Sequence, residues 1–173
     1  LERYLKLKDG DPILIPMDLV HYDKAFKEWE SGYVAKIAAA EQAFAAPEWG
    51  FGGTIDLQYT DSQNRYAIVD FKTKRTKPDE KIVQYNENKR QLVAYALGVG
   101  KINVYTRFGE FEPDTNPFNY PILGNLYLST TEPGRWEYIQ IPPEEIPNLI
   151  LDVRDLTRLW QREHKFSMEK QDA

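Results

Sequence analysis

The stretch Tyr66–Lys72 constrains this chain more than any other. Its middle, Ala67–Ile68–Val69, is an unbroken apolar run ending in Asp70–Phe71–Lys72, the pattern of a buried strand with charge at its end. Upstream, Gly50–Tyr59 alternates well enough for a second strand, and the polar turn Thr60–Asn64 joins the two into a β-hairpin. A buried hairpin must be covered on both faces, and the remaining elements have to supply that cover.

Helical spacing of Tyr22, Ala25, Phe26, Trp29, Tyr33, Val34 and Ile37 predicts a helix over His21–Ala39, followed by a strand over Ala40–Ala46. Lys81–Gly98 reads as an amphipathic helix whose stripe is Ile82, Tyr85, Leu92, Val93, Tyr95, Ala96 and Leu97, with Gly98 and Gly100 at its end. A strand over Lys101–Phe108 follows, which gives a strand–helix–strand unit. Leu123–Thr130 and Arg135–Ile141 form a second hairpin around Glu132–Pro133–Gly134, and Glu144–His164 is a closing helix. Leu1–Lys8 reads as a helix end stopped by Asp9–Gly10–Asp11–Pro12, and Ser167–Ala173 as a fraying polar tail. With no repeat or linker, 173 residues imply one α/β domain over 1–173, a mixed central sheet flanked by helices.

Composition narrows the chemistry. The absence of cysteine excludes disulfides, cysteine-bound zinc, cysteine nucleophiles and an iron–sulfur cluster. No apolar run reaches the roughly 18 residues of a membrane span, and no signal peptide precedes the first residues, so a cytoplasmic protein is expected. The chain opens as Leu1–Glu2–Arg3 without an initiating Met, the opening expected of a fragment missing its start. A net charge of −5 argues weakly against a broad nucleic-acid-binding field, although a cluster of metal-binding carboxylates would itself lower the total.

Residues two apart in a strand share a face, so Asp70 and Lys72 point together, and hairpin pairing can bring Asp56 beside them. Two carboxylates and an ammonium at one place on a sheet suit phosphodiester hydrolysis. Asp56, Asp70 and the Phe71 carbonyl are hard oxygen donors for Mg²⁺ (or Mn²⁺), and Lys72 would help activate the attacking water and offset transition-state charge. Asp-x-Lys alone is a weak signal. Its context adds weight: an apolar strand precedes it, Gly52–Gly53–Thr54–Ile55–Asp56 lies on the hairpin partner, and Gln91 and Tyr95 stand one helical turn apart downstream.

In that order, Gly53–Thr54–Ile55–Asp56, Asp70–Phe71–Lys72–Thr73 and Gln91–Leu92–Val93–Ala94–Tyr95 resemble the motifs of the PD-(D/E)xK nuclease superfamily, in particular its RecB-like and phage-exonuclease-like branches. The resemblance covers roughly residues 40–98. It implies a restriction-endonuclease-like core and a metal-dependent DNA nuclease, of exonuclease type, acting in phage replication, recombination or repair. It also implies that Asp56 and Asp70 are metal ligands, that Lys72 is catalytic, and that Gln91 and Tyr95 support the site or touch the substrate backbone. The family usually adds a His or Glu from an upstream helix, for which Glu2, Glu41 and His21 are the candidates, or a residue before Leu1. Should that ligand be missing, a nuclease-fold module that binds DNA or protein without cutting is the alternative.

Lys72, Lys74, Arg75, Lys77 and Lys81 make a basic run beside the site, and Lys89 and Arg90 follow on the next helix. They are candidate phosphate contacts, weighed against a plain solvated loop. Trp49, beside Gly50 in an expected loop, is the best candidate for stacking on an unpaired base. No P-loop, dinucleotide fingerprint or HExxH is present, and Ser and His form no defensible triad.

Overall fold

A computed structural model describes residues 15–107, 110–114 and 116–164. The expected Leu1–Lys8 helix and the Ser167–Ala173 tail lie outside these residues.

Five strands form the main sheet: β1 (Lys36–Ala46), β2 (Phe51–Thr60), β3 (Tyr66–Lys74), β6 (Ile122–Ser129) and β7 (Trp136–Gln140), in the order β1-β2-β3-β6-β7. Only β3 and β6 pair in parallel, and the other neighbours are antiparallel. Helix α1 (Val20–Tyr33) covers one face, where Ala25, Phe26 and Trp29 pack on Leu57, Tyr59, Ala67, Val69, Leu126 and Leu128. Helices α2 (Asn86–Gly98) and α3 (Ile146–Glu163) cover the other, where Leu92, Val93, Ala96 and Ile150 pack on Ile55, Ile68 and Leu123. The fold is thus a mixed α/β sheet of restriction-endonuclease-like type, with β3 at its centre and covered on both sides. No helix among the described residues is long and apolar enough to cross a membrane.

Three element predictions need correction. The first helix ends at Tyr33, not Ala39. Val34 is extended, its N–H turns back to the Glu30 carbonyl, and Lys36–Ala46 is already strand β1. The alanines at 38–40 favour helix locally, but pairing with β2 from Lys36↔Thr60 to Ala46↔Phe51 outweighs a preference of a few tenths of a kcal/mol per residue. Second, helix α2 begins at Asn86, five residues later than its apolar stripe suggests. Lys81–Tyr85 stays out of the helix because Ile82 is buried with its N–H donated to Glu137 and Gln84 reaches Asn125. Third, β4 (Val104–Arg107) does not join the main sheet. It pairs with an unforeseen strand, β5 (Glu110–Pro113), and the parallel partner after the α2 crossover is β6. Phe108 lies outside the described residues. The β6–β7 hairpin forms as expected.

Candidate active site

The site arises where two strands part. Pairing of β2 with β3 runs from Thr60↔Tyr66 to Leu57↔Val69 and stops there. In that register Asp56 would face Asp70, but the strands have separated. Strand β2 also turns over at this point, for Ile55 packs in the α2/α3 cluster while Leu57, two residues on, packs in the α1 cluster. The Phe71 N–H near this divergence is taken by the Asp56 side chain, at 2.7 Å to Oδ2. Asp56 therefore lies in the middle of β2 and is locked to the backbone of the Asp70–Lys72 segment.

A line of hydrogen bonds runs outward from there on the α2 side of the sheet. Lys72 Nζ lies 2.8 Å from Asp70 Oδ2 and 2.9 Å from Gln91 Oε1. Gln91 Nε2 donates to the Tyr95 hydroxyl at 2.5 Å. The helical spacing of Gln91 and Tyr95 thus places both on the carboxylate side of α2. From β6, the adjacent strand, Asn125 Nδ2 donates to Asp70 Oδ2 at 2.9 Å, and Asn125 Oδ1 accepts from Gln84 Nε2 at 2.8 Å. Asp70 itself is only 3% exposed.

Burial dominates the electrostatics. It pushes both Asp56 and Asp70 above the ordinary aspartate value; the Phe71 N–H and Lys72 pull Asp56 back only in part, and Lys72 and Asn125 do the same for Asp70. The charge on Asp56 pushes Asp70 further up. Burial also raises the Tyr95 hydroxyl, with smaller contributions from Asp70 and Asp56, so this phenol stays protonated beside them. Two desolvated carboxylates sharing one ammonium make a locally electronegative site, which favours a cation.

Asp56, Asp70 and the Phe71 carbonyl are the oxygen donors that could hold a divalent ion. Among the described residues no three His, Asp or Glu side chains converge as a cation cage. The fit is to Mg²⁺, which takes one or two carboxylates and keeps several waters. Glu41 is half-buried at a backbone φ of +49°, and the flanking pairs Ala40↔Leu57 and Gln42↔Ile55 put it across from Asp56 in register. Glu2 lies outside the described residues. His21 stands at the start of α1, on the other side of the sheet, with its ring against Tyr22.

The basic candidates divide. Arg75 and Lys77 are exposed on the loop after β3, and Lys74 lies over the Tyr85 ring at 5.0 Å. Lys89 and Arg90 are engaged with α3 and the turn before it, pairing with Glu145 at 2.5 Å and Asp152 at 2.9 Å. Trp49 is half-buried against the α2/α3 cluster and Phe51.

Four residues join the site that the sequence motifs do not mark: Gln84, Asn88, Asn125 and Tyr127. Asn88 Nδ2 donates to the Tyr127 hydroxyl at 3.1 Å, and Tyr127 is the β6 neighbour of Lys72. Asn125 carries a readable signal, since a lone amide inside the run Ile122–Leu128 must find a buried partner. Gln84 carries none.

No curated protein matches the chain at a significant level. The crystal structure of SSO0001 aligns over 80% of this chain at 15% identity and a TM-score of 0.35, and the chain spans 58% of that protein. The sequence profile of the PD-(D/E)XK nuclease superfamily matches residues 18–173. That match spans nearly the whole chain and contains the Asp56, Asp70, Lys72 and Gln91 cluster, and the chain belongs to the PD-(D/E)XK nuclease superfamily.

Proposed function

We propose that this chain is a Mg²⁺- or Mn²⁺-dependent nuclease that hydrolyses DNA phosphodiester bonds. The observation that carries the proposal is the position of Lys72, whose ammonium bridges Asp70 Oδ2 and Gln91 Oε1 beside the Asp56 carboxylate. An ammonium has three N–H donors. Two are engaged by Asp70 and Gln91, which leaves one for an attacking water or a phosphate oxygen. Asp56 and Asp70 would hold the metal with the Phe71 carbonyl. When bound, the ion would polarise the phosphate and stabilise charge on the leaving oxygen.

The protein's own share of the chemistry is orientation. Phe71 N–H fixes Asp56, Asn125 fixes Asp70, and the Gln91–Tyr95 pair fixes Lys72. Such preorganisation accounts for much of the catalysis in phosphoryl transfer. Exonuclease action in phage replication, recombination or repair is the finer expectation, supported by the likeness of Lys72–Thr73 and Gln91…Tyr95 to the RecB-like and phage-exonuclease-like motifs. Calorimetric titration tests the metal half of the proposal. Mg²⁺ or Mn²⁺ should bind the unsubstituted chain, and Asp70→Ala should weaken that binding at least tenfold.

A second reading has one observation in its favour: only two carboxylates, not three, converge among the described residues. On that reading the fold binds DNA or protein without cutting. DNA binding that persists without metal uptake or cleavage would favour it.

A further inference from the structure

The segment Lys81–Tyr85, expected as the first turn and a half of a helix, has no regular secondary structure, Tyr85 itself is extended, and burial alternates along it. Ile82 is 7% exposed and Gln84 is half-buried, whereas Val83 is 59% and Tyr85 52% exposed, with Lys81 exposed beside them. The inward residues are anchored. The Ile82 N–H donates to Glu137 Oε2 at 3.3 Å, and Gln84 is bonded to Asn125, the same amide that holds Asp70. Tyr85 therefore stands one residue from a side chain only two hydrogen bonds from the Asp70 carboxylate. The buried Tyr127 hydroxyl, next to Lys72 in register, is within electrostatic reach of both Asp70 and Tyr85.

The outward side is chemically distinctive. Lys74 lies over one face of the Tyr85 ring, at 5.0 Å from its centroid, while the ring stays about half exposed. Arg75, Lys77 and Lys81 are exposed on the same connection between β3 and α2. An exposed aromatic ring with a cation over it, on a connection that carries further exposed cations besides the acids Asp79 and Glu80, combines the two elements that hold a single strand: a surface for a base and charge for its phosphates. A duplex hides its base faces and could use only the charge.

We propose that the Lys81–Tyr85 segment is a track for an unpaired DNA strand, in which the Tyr85 ring stacks on a base while Lys74, Arg75, Lys77 and Lys81 follow the backbone. The track delivers a single strand, or the frayed end of a duplex, to the Asp70–Lys72 site. This inference rests on the nuclease reading and deepens it by naming the form of the substrate.

Fluorescence anisotropy with a labelled oligothymidylate and a labelled blunt duplex tests the track, with Mg²⁺ present and Lys72→Ala as the background to limit cutting. Tyr85→Ala should weaken single-strand binding roughly tenfold, a much larger loss than on the duplex. Tyr85→Phe, which keeps the ring, should stay within about twofold of the parent on both probes. Equal losses on the two probes, no loss on either, or a Phe variant as weak as the Ala variant would each overturn the track. Should the Ala variant fold poorly, the Phe comparison and Val83→Ser, expected to weaken the single strand more than the duplex, keep the proposal open to refutation. Failure of the track with Mg²⁺-dependent cleavage by the unsubstituted chain intact leaves the nuclease reading standing. Failure to bind or cut either probe overturns both.

Discussion

Gly53 lies against the ring of Tyr95: a Cβ placed on Gly53 would sit 3.3 Å from Tyr95 Cε1, tighter than normal contact. The glycine of one motif is therefore small because the tyrosine of another needs the room. Tyr95 in turn accepts from Gln91, and Gln91 accepts from Lys72, so a methyl group on β2 is felt at the ammonium. Gly53→Ala should reduce cleavage about tenfold while altering thermal stability little, since displacements below about 1 Å in positioning groups are costly to catalysis. Steady-state rates on a linear DNA substrate, paired with a melting curve, check this.

Asn125 should act as a positioning residue for Asp70. Asn125→Ala removes the donor to Asp70 Oδ2 and leaves Gln84 without its acceptor. Loss of a buried hydrogen bond to a charged group should destabilise the fold by about 1.5–3 kcal/mol. The pH dependence of cleavage separates positioning from simple loss of fold. With Asn125 no longer lowering it, the Asp70 pKa rises, so the acid limb of the pH–rate profile should move to higher pH.

The two aspartates should cost the protein stability at neutral pH. Their folded pKa values lie above the ordinary aspartate value, chiefly through burial. In the window between the unfolded and folded values the native state holds more protons than the unfolded chain. Stability from this source is present at low pH and is lost as pH rises through that window. Asp56→Asn and Asp70→Asn should therefore show a shallower fall over this range than the parent. Without added metal, Asp70→Asn should melt at a higher temperature at pH 7 even as it abolishes cutting. Mg²⁺ should raise the melting temperature of the parent but not of Asp70→Asn. Calorimetric melts across pH, with and without Mg²⁺, check both effects.

The basic residues should divide by function. Arg75→Glu with Lys77→Glu should weaken DNA binding and flatten its salt dependence, by about one unit of slope for each phosphate the protein no longer neutralises. Lys89→Ala should act instead through structure, because Lys89 is paired with Glu145 at 2.5 Å. Its salt slope should stay near that of the parent. Binding isotherms at a series of salt concentrations distinguish the two.

Much of this architecture is legible in the sequence, and what escapes has physical reasons. The β2–β3 hairpin and the Gln91–Tyr95 face follow from periods of two and of 3.6 residues, which are local properties. Asp56, Asp70, Lys72, Gln91 and Tyr95 do meet on one side of the sheet. The break in pairing beyond Leu57↔Val69, which leaves the Phe71 N–H for Asp56, has no local signature. The start of strand β1 reads as helix because its alanines encode no strand preference and pair only because β2 is there. The first turn of the expected Lys81–Gly98 helix fails for a related reason. Its Ile82 and Tyr85 fit a helical stripe, but ties from Glu137 and Asn125, more than about 40 residues away in the chain, hold the segment out of the helix. Lys89 and Arg90 look like phosphate contacts because their partners, Glu145 and Asp152, come from a distant part of the chain.

Held between Asp70 and Gln91, Lys72 is the residue on which metal-dependent cleavage by this chain should turn. The most direct measurement is the rate of degradation of labelled linear DNA by the purified chain and by Lys72→Ala, each with Mg²⁺ and with EDTA, after circular dichroism has shown both to be folded. The parent should cut with Mg²⁺ and not with EDTA, and Lys72→Ala should cut at least about a hundredfold more slowly. Equal rates for the two proteins, or cutting that persists in EDTA, would contradict that role.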